Sequence, residues 1–428
     1  MRERSYEAAS RACPAALACL NPGYIVDCSR PGSPMSSQRL NDPQSAIAEA
    51  ARRAEDGLIT LRRSLHAHPE LAFQEVRTAG IVATELARLG IPHRTGVGRT
   101  GVVGEIQGGR PGPVLAIRAD MDALPIAERT GLPFASETPG QMHACGHDIH
   151  TSTLLGVAAV LQEMAPALAG SVRLIFQPAE EVLGGAAAMI DEGVLDGVAF
   201  ALGFHNHPDM PVGRFGYVRG VSLAASDRFD IVVTGRSGHA AHPEDAVDPI
   251  VAAAHLVTQL QMVVSREVGP LRPCVVTVGA IHAGTVHNII PDACTLLGTV
   301  RTLDAPTQDT AEAAIGRLCA GVEAGLRVRC ALDYRRGVPA LRNDDRVLDP
   351  AVAAVRAQLG DVVDEGEPSL GGEDFAFMTE RVPSFHLRVG SGAAGRQDRL
   401  HNSAYQPDEA CIALGVQALS RAAVELLA

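Results

Sequence analysis

The sequence predicts an α/β protein with a mostly parallel core sheet flanked by helices and with an inserted α+β satellite domain. Apolar runs bounded by glycine and proline are typical of buried strands, and they occur at 102–106, 114–118, 172–176 and 198–204. A helical pattern at 150–164 separates the second run from the third. Strands that alternate with helices favour a largely parallel sheet.

Helices are predicted ahead of the first strand. Between 42 and 89, apolar residues recur at the spacing of an amphipathic helix, with a break around Pro69. Residues 1–41 carry mixed charges, and the apolar stretch 12–20 is interrupted by a proline, which makes a poor secretory signal. We therefore expect 1–41 to be a disordered leader, or an over-called start ahead of Met35, whose removal is harmless.

The satellite is predicted from a change of pattern after residue 220. The expected order is strand, helix, strand, strand, helix and strand, at 228–234, 249–264, 275–280, 293–302, 310–326 and 328–334. A unit of this order and length matches a ferredoxin-like α+β fold. Core-like sequence then returns, so we expect a discontinuous main domain, 42–220 with 338–428, and a lid or dimerisation satellite, 221–337.

Length and composition bound the class of protein. A chain of 428 residues exceeds the usual size of one hydrophobic core. No apolar run reaches the roughly 18 residues that span a bilayer, and a net charge of −12 without a basic block argues against nucleic acid. Nine cysteines at irregular spacings do not resemble the framework of a small secreted protein. We expect a cytoplasmic protein that binds a small molecule.

The segment from Gly96 to Gly101 formally matches the dinucleotide-binding fingerprint. That fingerprint follows a strand and opens a helix, whereas a strand comes next here. We therefore interpret the segment as a plain turn. The sequence contains neither a phosphate-binding loop nor a nucleophile elbow, so phosphoryl transfer and serine hydrolysis have no motif to support them.

Acidic residues, histidines and a cysteine follow the predicted strands, where open α/β sheets place their sites. The segments that contain them begin at Asp120, His143, Glu180, His205, Gly238, Gly372 and His401. Singly, most have ordinary structural explanations, such as a buried thiol or a solvated acidic pair. Together, a thiolate, three imidazoles and a carboxylate are the ligand set of borderline divalent metals. Two ions about 3.5–4 Å apart would need a bridging anion, which Cys145 or a hydroxide could supply.

A series of motifs runs in order from about Leu65 to Tyr405: LHAHPELAFQE, RADMDALPI, MHACGHDIHT, FQPAEE, SGHAAHPEDAVDPI, GTVHNIIPD, GTVRTLD, GGEDFAFM and LHNSAY. They resemble the motifs of the di-metal aminoacylase and carboxypeptidase family, in its branch of hippurate hydrolases, N-acyl-L-amino-acid amidohydrolases and auxin-conjugate hydrolases. The resemblance implies a di-zinc exopeptidase-like core. It also implies hydrolysis of the amide bond of N-acetyl, N-benzoyl or similar N-acyl-L-amino acids.

The resemblance further implies roles for individual residues. Two divalent ions of zinc, manganese, cobalt or nickel would be bound by Cys145, His147, Glu181, His205 and His401. Glu180 would be the general base, Asp122 would orient a ligand or tune that base, and His239 would donate to the oxyanion. Asn288 and Arg301 would hold the substrate α-carboxylate. Because the histidine often reaches a neighbouring subunit in that family, we expect a homodimer or a dimer of dimers.

Two positions depart from the family pattern, and several alternatives stay open. Trp is usual where this chain has His207, and His is usual where it has Glu244, which leaves the pocket wall and the choice of histidine ligand open. Arg301 could instead form a surface salt bridge. The chain could also be a dipeptidase, an N-carbamoyl amino acid hydrolase or a non-catalytic metal-binding scaffold. The intact Glu180 and Glu181 pair argues against a scaffold, which needs no base beside a ligand.

Overall fold

A computed structural model describes residues 42–396 and 399–428. The predicted leader, 1–41, lies outside the described residues. Within those ranges, no helix combines the length and the apolarity needed to cross a membrane. The helices are, in chain order, α1 (Pro43–Ala67), α2 (Val76–Arg88), α3 (His147–Met164), α4 (Gly185–Asp191), α5 (Pro249–Met262), α6 (Ala305–Leu326), α7 (Asp345–Leu359), α8 (Ala376–Thr379) and α9 (Ala410–Leu426).

The strands form two larger sheets and two short ribbons. They are β1 (His93–Val97), β2 (Gly101–Gln107), β3 (Arg110–Asp120), β4 (Ala169–Gln177), β5 (Val198–Pro211), β6 (Phe215–Tyr217), β7 (Val221–Leu223), β8 (Ala225–Thr234), β9 (Gly238–His239), β10 (Cys274–Ala283), β11 (Ile289–Ile290), β12 (Ala293–Thr302), β13 (Arg329–Val338), β14 (Leu341–Arg342), β15 (Val362–Asp364) and β16 (Ser384–Gly392). The eight-stranded sheet has the order β1-β2-β4-β3-β5-β16-β6-β15, and the four-stranded sheet has the order β10-β12-β8-β13. The ribbons are β9 with β11 and β7 with β14.

The eight-stranded sheet is parallel at its centre and mixed towards its edges. β3 pairs in parallel with β4 and β5, and β5 pairs in parallel with β16. The β1–β2, β2–β4 and β6–β16 pairs are antiparallel. The predicted parallel arrangement is therefore confirmed for the strands at the centre. The glycine-rich segment interpreted as a turn joins β1 to β2, where Gly96 and Gly98 have φ values of 77° and 60°.

The main core lies between this sheet and a layer of helices. α1 packs against α3, both pack against α9, and α7 also packs against α9. Leu58 of α1 and Phe176 of β4 are fully buried in this core. A smaller cluster contains Met189 of α4. Val102 and Val103, adjacent on β2, belong one to each cluster, because successive side chains of a strand point to opposite faces.

The four-stranded sheet is antiparallel throughout, and α5 and α6 pack against it. Its elements follow in the order β8, α5, β10, β12, α6 and β13, which is the predicted ferredoxin-like order. Phe229, Leu256 and Ile315 are fully buried in a cluster confined to this unit. The division of the chain into domains at 220/221 and 337/338 stays a prediction.

Two helices begin earlier than the periodicity predicts. α3 begins at His147 and not at 150, after Gly146, whose φ of 94° lies in the left-handed region that favours glycine. α6 begins at Ala305 and not at 310, because the Asp304 carboxylate accepts a hydrogen bond from the Thr307 N–H at 2.8 Å and caps the helix. The early start of α3 brings His147 into its first turn, beside the ends of the central strands.

Candidate metal centre and its cleft

The predicted ligands lie around the carboxyl ends of the central parallel strands. Asp122 follows β3, Glu180 and Glu181 follow β4, and His205 lies within β5. Parallel strands that share a sheet end at the same edge, where α/β proteins place their ligands. The fold therefore brings together residues that are far apart in the sequence.

Cys145 lies at the centre of the predicted ligand set. Ligand atoms of Cys145, His147 and His205 lie within 4.8 Å of one another, and Cys145 Sγ is 3.4 Å from His205 Nε2. Cys145, Glu181 and His401 form a second group of the same size, in which His401 Nε2 is 3.4 Å from Glu181 Oε1. The thiol is thus shared by two triads, as a bridge between two ions requires.

Asp122 connects both triads to the strand ends. Its Oδ1 lies 3.2 Å from His147 Nδ1. The same carboxylate accepts hydrogen bonds from the backbone N–H groups of Glu180 and Glu181, each at 3.0 Å. A partner on Nδ1 leaves Nε2 of the ring to face a metal. Asp122 therefore positions His147 and the acidic pair without itself belonging to either triad.

The donors fit borderline divalent cations. Within the described residues, the buried Nε2 atom of His147 has no hydrogen-bond partner, although it lies 4.0 Å from Glu181 Oε1. Burial, together with His150, lowers the pKa of His205, which favours the neutral imidazole that binds metals. Burial raises the pKa of the Cys145 thiol. Uptake of a metal by this site would therefore release a proton.

Glu180 is the buried carboxyl group next to these ligands. Its Oε2 lies 4.0 Å from His147 Nε2, and it also approaches Glu373 and Asp374 within 4.8 Å. Burial and these two carboxyls raise the pKa of Glu180 well above its ordinary value. A carboxyl group whose pKa is raised towards neutrality is suited to accept a proton and then donate it.

A cleft of about 730 Å³ opens over the predicted metal ligands. One wall comes from the eight-stranded part of the chain and includes Cys145, Glu180 and His401. The other wall comes from β8 and β12 of the four-stranded sheet and includes Arg228 and Arg301. The volume of this cleft and the polar side chains on its two walls are typical of a site that binds a small molecule.

Sequence comparison agrees with this geometry, because the profile of peptidase family M20/M25/M40 matches residues 116–425. The chain belongs to this family. An N-acetylcysteine deacetylase of Bacillus subtilis is 41% identical over 86% of this chain and 97% of its own length. An IAA-amino acid hydrolase of Arabidopsis thaliana is 38% identical over 84% of this chain and 82% of its own length.

A solved structure extends the likeness to three dimensions. The YXEP protein of Bacillus subtilis, described as a dinuclear metal-binding peptidase from the M20 family, superimposes with a TM-score of 0.77 at 38% identity. The match covers 89% of this chain and 99% of that chain. The α/β class and the family resemblance inferred from the motifs are thereby confirmed.

This M20 member also contains a buried charged network that the sequence did not reveal. Arg118 of β3 donates to Asp120 and Asp374, each at 2.8 Å, and lies 3.0 Å from Glu373. Asp120 Oδ1 lies 2.5 Å from His150 Nδ1. All five side chains are buried, and the network places the carboxyls of Glu373 and Asp374 next to Glu180. The sequence does show charged residues inside an otherwise apolar strand and in the GGED segment. It does not show that these residues pair with one another.

The structure does not bring two of the predicted residues to the cleft. His239 lies in the β9–β11 ribbon and is exposed, and its Nδ1 accepts a hydrogen bond from the Ala241 N–H at 3.0 Å. Asn288 precedes β11 and accepts a hydrogen bond from the Ala240 N–H through its backbone oxygen at 3.1 Å. Both residues are absent from the cleft lining found among the described residues. They can act at a metal centre only after closure of the chain or from a second subunit.

Three further positions have clear locations. Arg301 lines the cleft and forms no ion pair among the described residues, so the surface salt-bridge alternative finds no support. His207 also lines the cleft, where burial and Arg388 lower its pKa. Glu244 is exposed and faces His242 at 3.7 Å, away from the predicted ligands.

Proposed function

We propose that this chain is a metal-dependent amidohydrolase that cleaves N-acyl-L-amino acids to a carboxylic acid and a free amino acid. The main support is that one thiol, Cys145, belongs to two triads of possible metal ligands. The buried Glu180 lies beside them, and both residues line the cleft. Similarity to a deacetylase of N-acetylcysteine and to a hydrolase of IAA-amino acids supports the substrate class. Both of those names describe an acyl group joined to an amino acid.

The two triads would bind one divalent ion each. When bound, such ions polarise a carbonyl group and lower the pKa of a coordinated water towards about 7. The soft thiolate and the imidazoles favour zinc, cobalt or nickel over magnesium or calcium, and the carboxylate of Glu181 also suits manganese. His147 and His205 would complete one site, and Glu181 and His401 the other.

Glu180 carries the proton transfers in this proposal. It accepts a proton from the attacking water and donates it to the nitrogen of the leaving amine. Asp122 holds the backbone of the acidic pair, so that Glu180 reaches the substrate while Glu181 turns to a metal. Arg301 would bind the α-carboxylate of the substrate, together with Asn288 if the β9–β11 ribbon approaches the cleft.

His239 requires a movement or a partner in order to stabilise the oxyanion. We propose that a second copy of the chain supplies it, in a homodimer or a dimer of dimers, because the ribbon that carries it is exposed. A reducing, cytoplasmic location is part of the proposal. It is supported by the cysteines of the described residues, which are free thiols.

The function is tested with protein reconstituted with Zn²⁺, Mn²⁺, Co²⁺ or Ni²⁺. Release of amino acid is measured from N-acetyl, N-benzoyl and N-carbamoyl amino acids and from dipeptides. Hydrolysis of N-acetyl or N-benzoyl amino acids is expected, and Glu180→Gln should lower kcat by roughly 10²- to 10⁴-fold with normal metal content. Glu137→Gln, at a side chain that is 72% exposed, is the matched control and should retain full activity.

Two outcomes would favour the alternatives. Preference for dipeptides or N-carbamoyl substrates would indicate a dipeptidase or a carbamoylase on the same scaffold. Metal binding without turnover of any of these substrates, with every metal, would indicate a non-catalytic scaffold.

Loss of metal in Glu180→Gln, with retention in Glu181→Gln, would reverse the roles of the acidic pair.

A further inference from the structure

Two arginines lie side by side on the cleft-facing surface of the four-stranded sheet. In the antiparallel β8–β12 pair, Arg228 is opposite Thr299 and Arg301 is opposite Ser226. Side chains opposite each other, and those two residues apart on one strand, share a face of the sheet. Arg228 and Arg301 are therefore diagonal neighbours on one face. All four residues line the cleft.

Within the described residues, neither guanidinium group forms a hydrogen bond or an ion pair. The nearest acidic residue in sequence, Asp227, points to the opposite face of the sheet. There its carboxylate accepts hydrogen bonds from Gln308 Nε2 at 2.9 Å and from the Tyr334 hydroxyl at 2.7 Å. Partial burial and the neighbouring Arg228 lower the pKa of Arg301, while the charge of Asp227 acts in the opposite direction. Neither cation is thus neutralised by an ion pair with a protein carboxylate, although Glu180, Glu181 and Glu373 line the same cleft. Asp230, two residues along β8 from Arg228, is instead 3.6 Å from Arg335.

A third arginine of the cleft shows the contrast. Arg388 of β16 donates to the Glu365 carboxylate at 2.6 Å, so its charge is neutralised by the protein itself. Arg301 instead extends towards the loop before Glu373, where a β-carbon on Gly372 would lie 3.1 Å from Arg301 Nη1. A glycine at this position leaves space for the guanidinium group beside the wall of the cleft that contains Glu180. Arg228 is more exposed, nearer the rim of the cleft.

We propose that the cleft selects N-acyl amino acids whose side chain is itself a carboxylate, namely N-acyl-L-aspartate or N-acyl-L-glutamate. Arg301 would bind the α-carboxylate and Arg228 the side-chain carboxylate. This inference rests on the proposed hydrolysis of N-acyl amino acids and names its substrate class.

The spacing of the two arginines favours the amino-acid part of the substrate over the acyl part. Diagonal neighbours on an antiparallel pair are about 7–8 Å apart, and long side chains can converge from that distance. The α- and side-chain carboxylates of one amino acid lie on the same side of the scissile bond. A carboxylate on the acyl group would lie on the other side of that bond.

The test compares charged substrates with uncharged isosteres. For the metal-loaded wild-type protein, we expect kcat/KM for N-acetyl-L-glutamate to exceed that for N-acetyl-L-glutamine by about tenfold or more, the usual worth of a charge-assisted hydrogen bond in a partly exposed site. Arg228→Gln should bring this ratio close to one, and Arg228→Lys should restore part of it. Arg329→Gln is the matched control, because Arg329 is exposed on the outer strand of the same sheet and does not line the cleft.

A binding measurement separates this inference from the proposed hydrolysis. In the Glu180→Gln background, calorimetry should show N-acetyl-L-glutamate binding about tenfold more tightly than N-acetyl-L-glutamine, and Arg228→Gln should remove the difference. Turnover of neutral N-acetyl amino acids without any acidic preference would overturn the inference and leave the proposed function intact. Acid-selective binding by the Glu180→Gln variant, together with no turnover of any substrate by the metal-loaded wild-type protein, would support the inference and contradict the proposed function.

The acyl group is examined in a separate arm. N-succinyl-L-methionine carries its second carboxylate on the acyl part, and N-acetyl-L-methionine is its neutral counterpart. If Arg228→Gln reduced the preference for the succinyl substrate and left the glutamate preference unchanged, the assignment to the amino-acid side chain would be wrong. An unchanged succinyl preference together with a lost glutamate preference is the result that we expect.

Discussion

Asp122 provides the sharpest test of how the fold would position the proposed metal ligands. The substitution Asp122→Asn preserves the shape of the side chain but leaves only one oxygen to accept hydrogen bonds. If the amide oxygen keeps the contacts with His147 and with the Glu180 N–H, the amide NH₂ faces the Glu181 N–H, which is now 3.0 Å from an acceptor. One charge-assisted hydrogen bond is lost and two donors oppose each other.

The magnitude follows from these contacts. A hydrogen bond to a charged group contributes about 1.5–3 kcal/mol, and a buried unpaired donor costs about 1–3 kcal/mol. We therefore expect the free energy of unfolding of the metal-free Asp122→Asn protein to fall by about 2.5–3.5 kcal/mol, the lower part of the combined range, because local relaxation recovers some of the loss. Loss of the partner that orients a histidine ligand should also weaken metal binding by about 10- to 100-fold.

Urea denaturation of the metal-free protein and chelator competition with Zn²⁺ measure the two effects separately. Asp361→Asn is the control, because Asp361 forms a surface ion pair with Arg214 at 2.8 Å in which both side chains are about half exposed. Such pairs contribute at most about 1 kcal/mol, and metal affinity should not change. Metal affinity within twofold of wild type in Asp122→Asn would refute the positioning role.

Three further predictions concern the thiol, the ribbon and the second sheet. Cys145→Ala should lose bound metal and activity together, because both triads share this residue. Metal content is measured by atomic absorption, and Cys274→Ala should keep full metal content. Normal metal content in Cys145→Ala would show that Cys145 is not a metal ligand. His239→Ala should lower kcat by about 10²- to 10³-fold at unchanged metal occupancy, and mixing it with Glu180→Gln subunits should restore part of the activity if the histidine acts across a dimer; near-normal kcat would exclude it from the mechanism. Burial and the Asp227 hydrogen bond raise the pKa of the Tyr334 hydroxyl, so its contribution to stability is present below about pH 10 and lost above it. The difference in unfolding free energy between wild type and Tyr334→Phe should therefore shrink by up to about 1.4 kcal/mol per pH unit above pH 10, and a constant difference would contradict this.

The central strands and the main helices were predictable because their sequence periodicity reflects burial directly. The apolar runs at 114–118 and 172–176 became β3 and β4, and the alternating pattern of the insert became its six elements. The short strands β6 and β15, the last two at one side of the eight-stranded sheet, were not predicted, since three residues with little alternation carry no periodic signal. The early start of α6 could have been found from the aspartate and proline at its amino end, a known capping signal.

The sequence by itself determined which chemical groups the candidate site contains. A cysteine, three histidines and an acidic pair at strand ends indicate a metal centre, and the family pattern selects among them. Distances stay undetermined at that level, because residues such as Cys145 and His401 are separated by most of the chain.

The tertiary structure decided which groups share a space. It joined Cys145 to two triads, placed the carboxyls of Glu373 and Asp374 next to Glu180, and left His239 on an exposed ribbon. It also turned Arg228 towards the cleft and Asp227 away from it. The register between β8 and β12 sets that choice, since a shift of one residue would exchange the two faces. The paired residues of these two strands are 59 to 77 positions apart. Their pairing is a property of the folded chain, and no local sequence pattern encodes it.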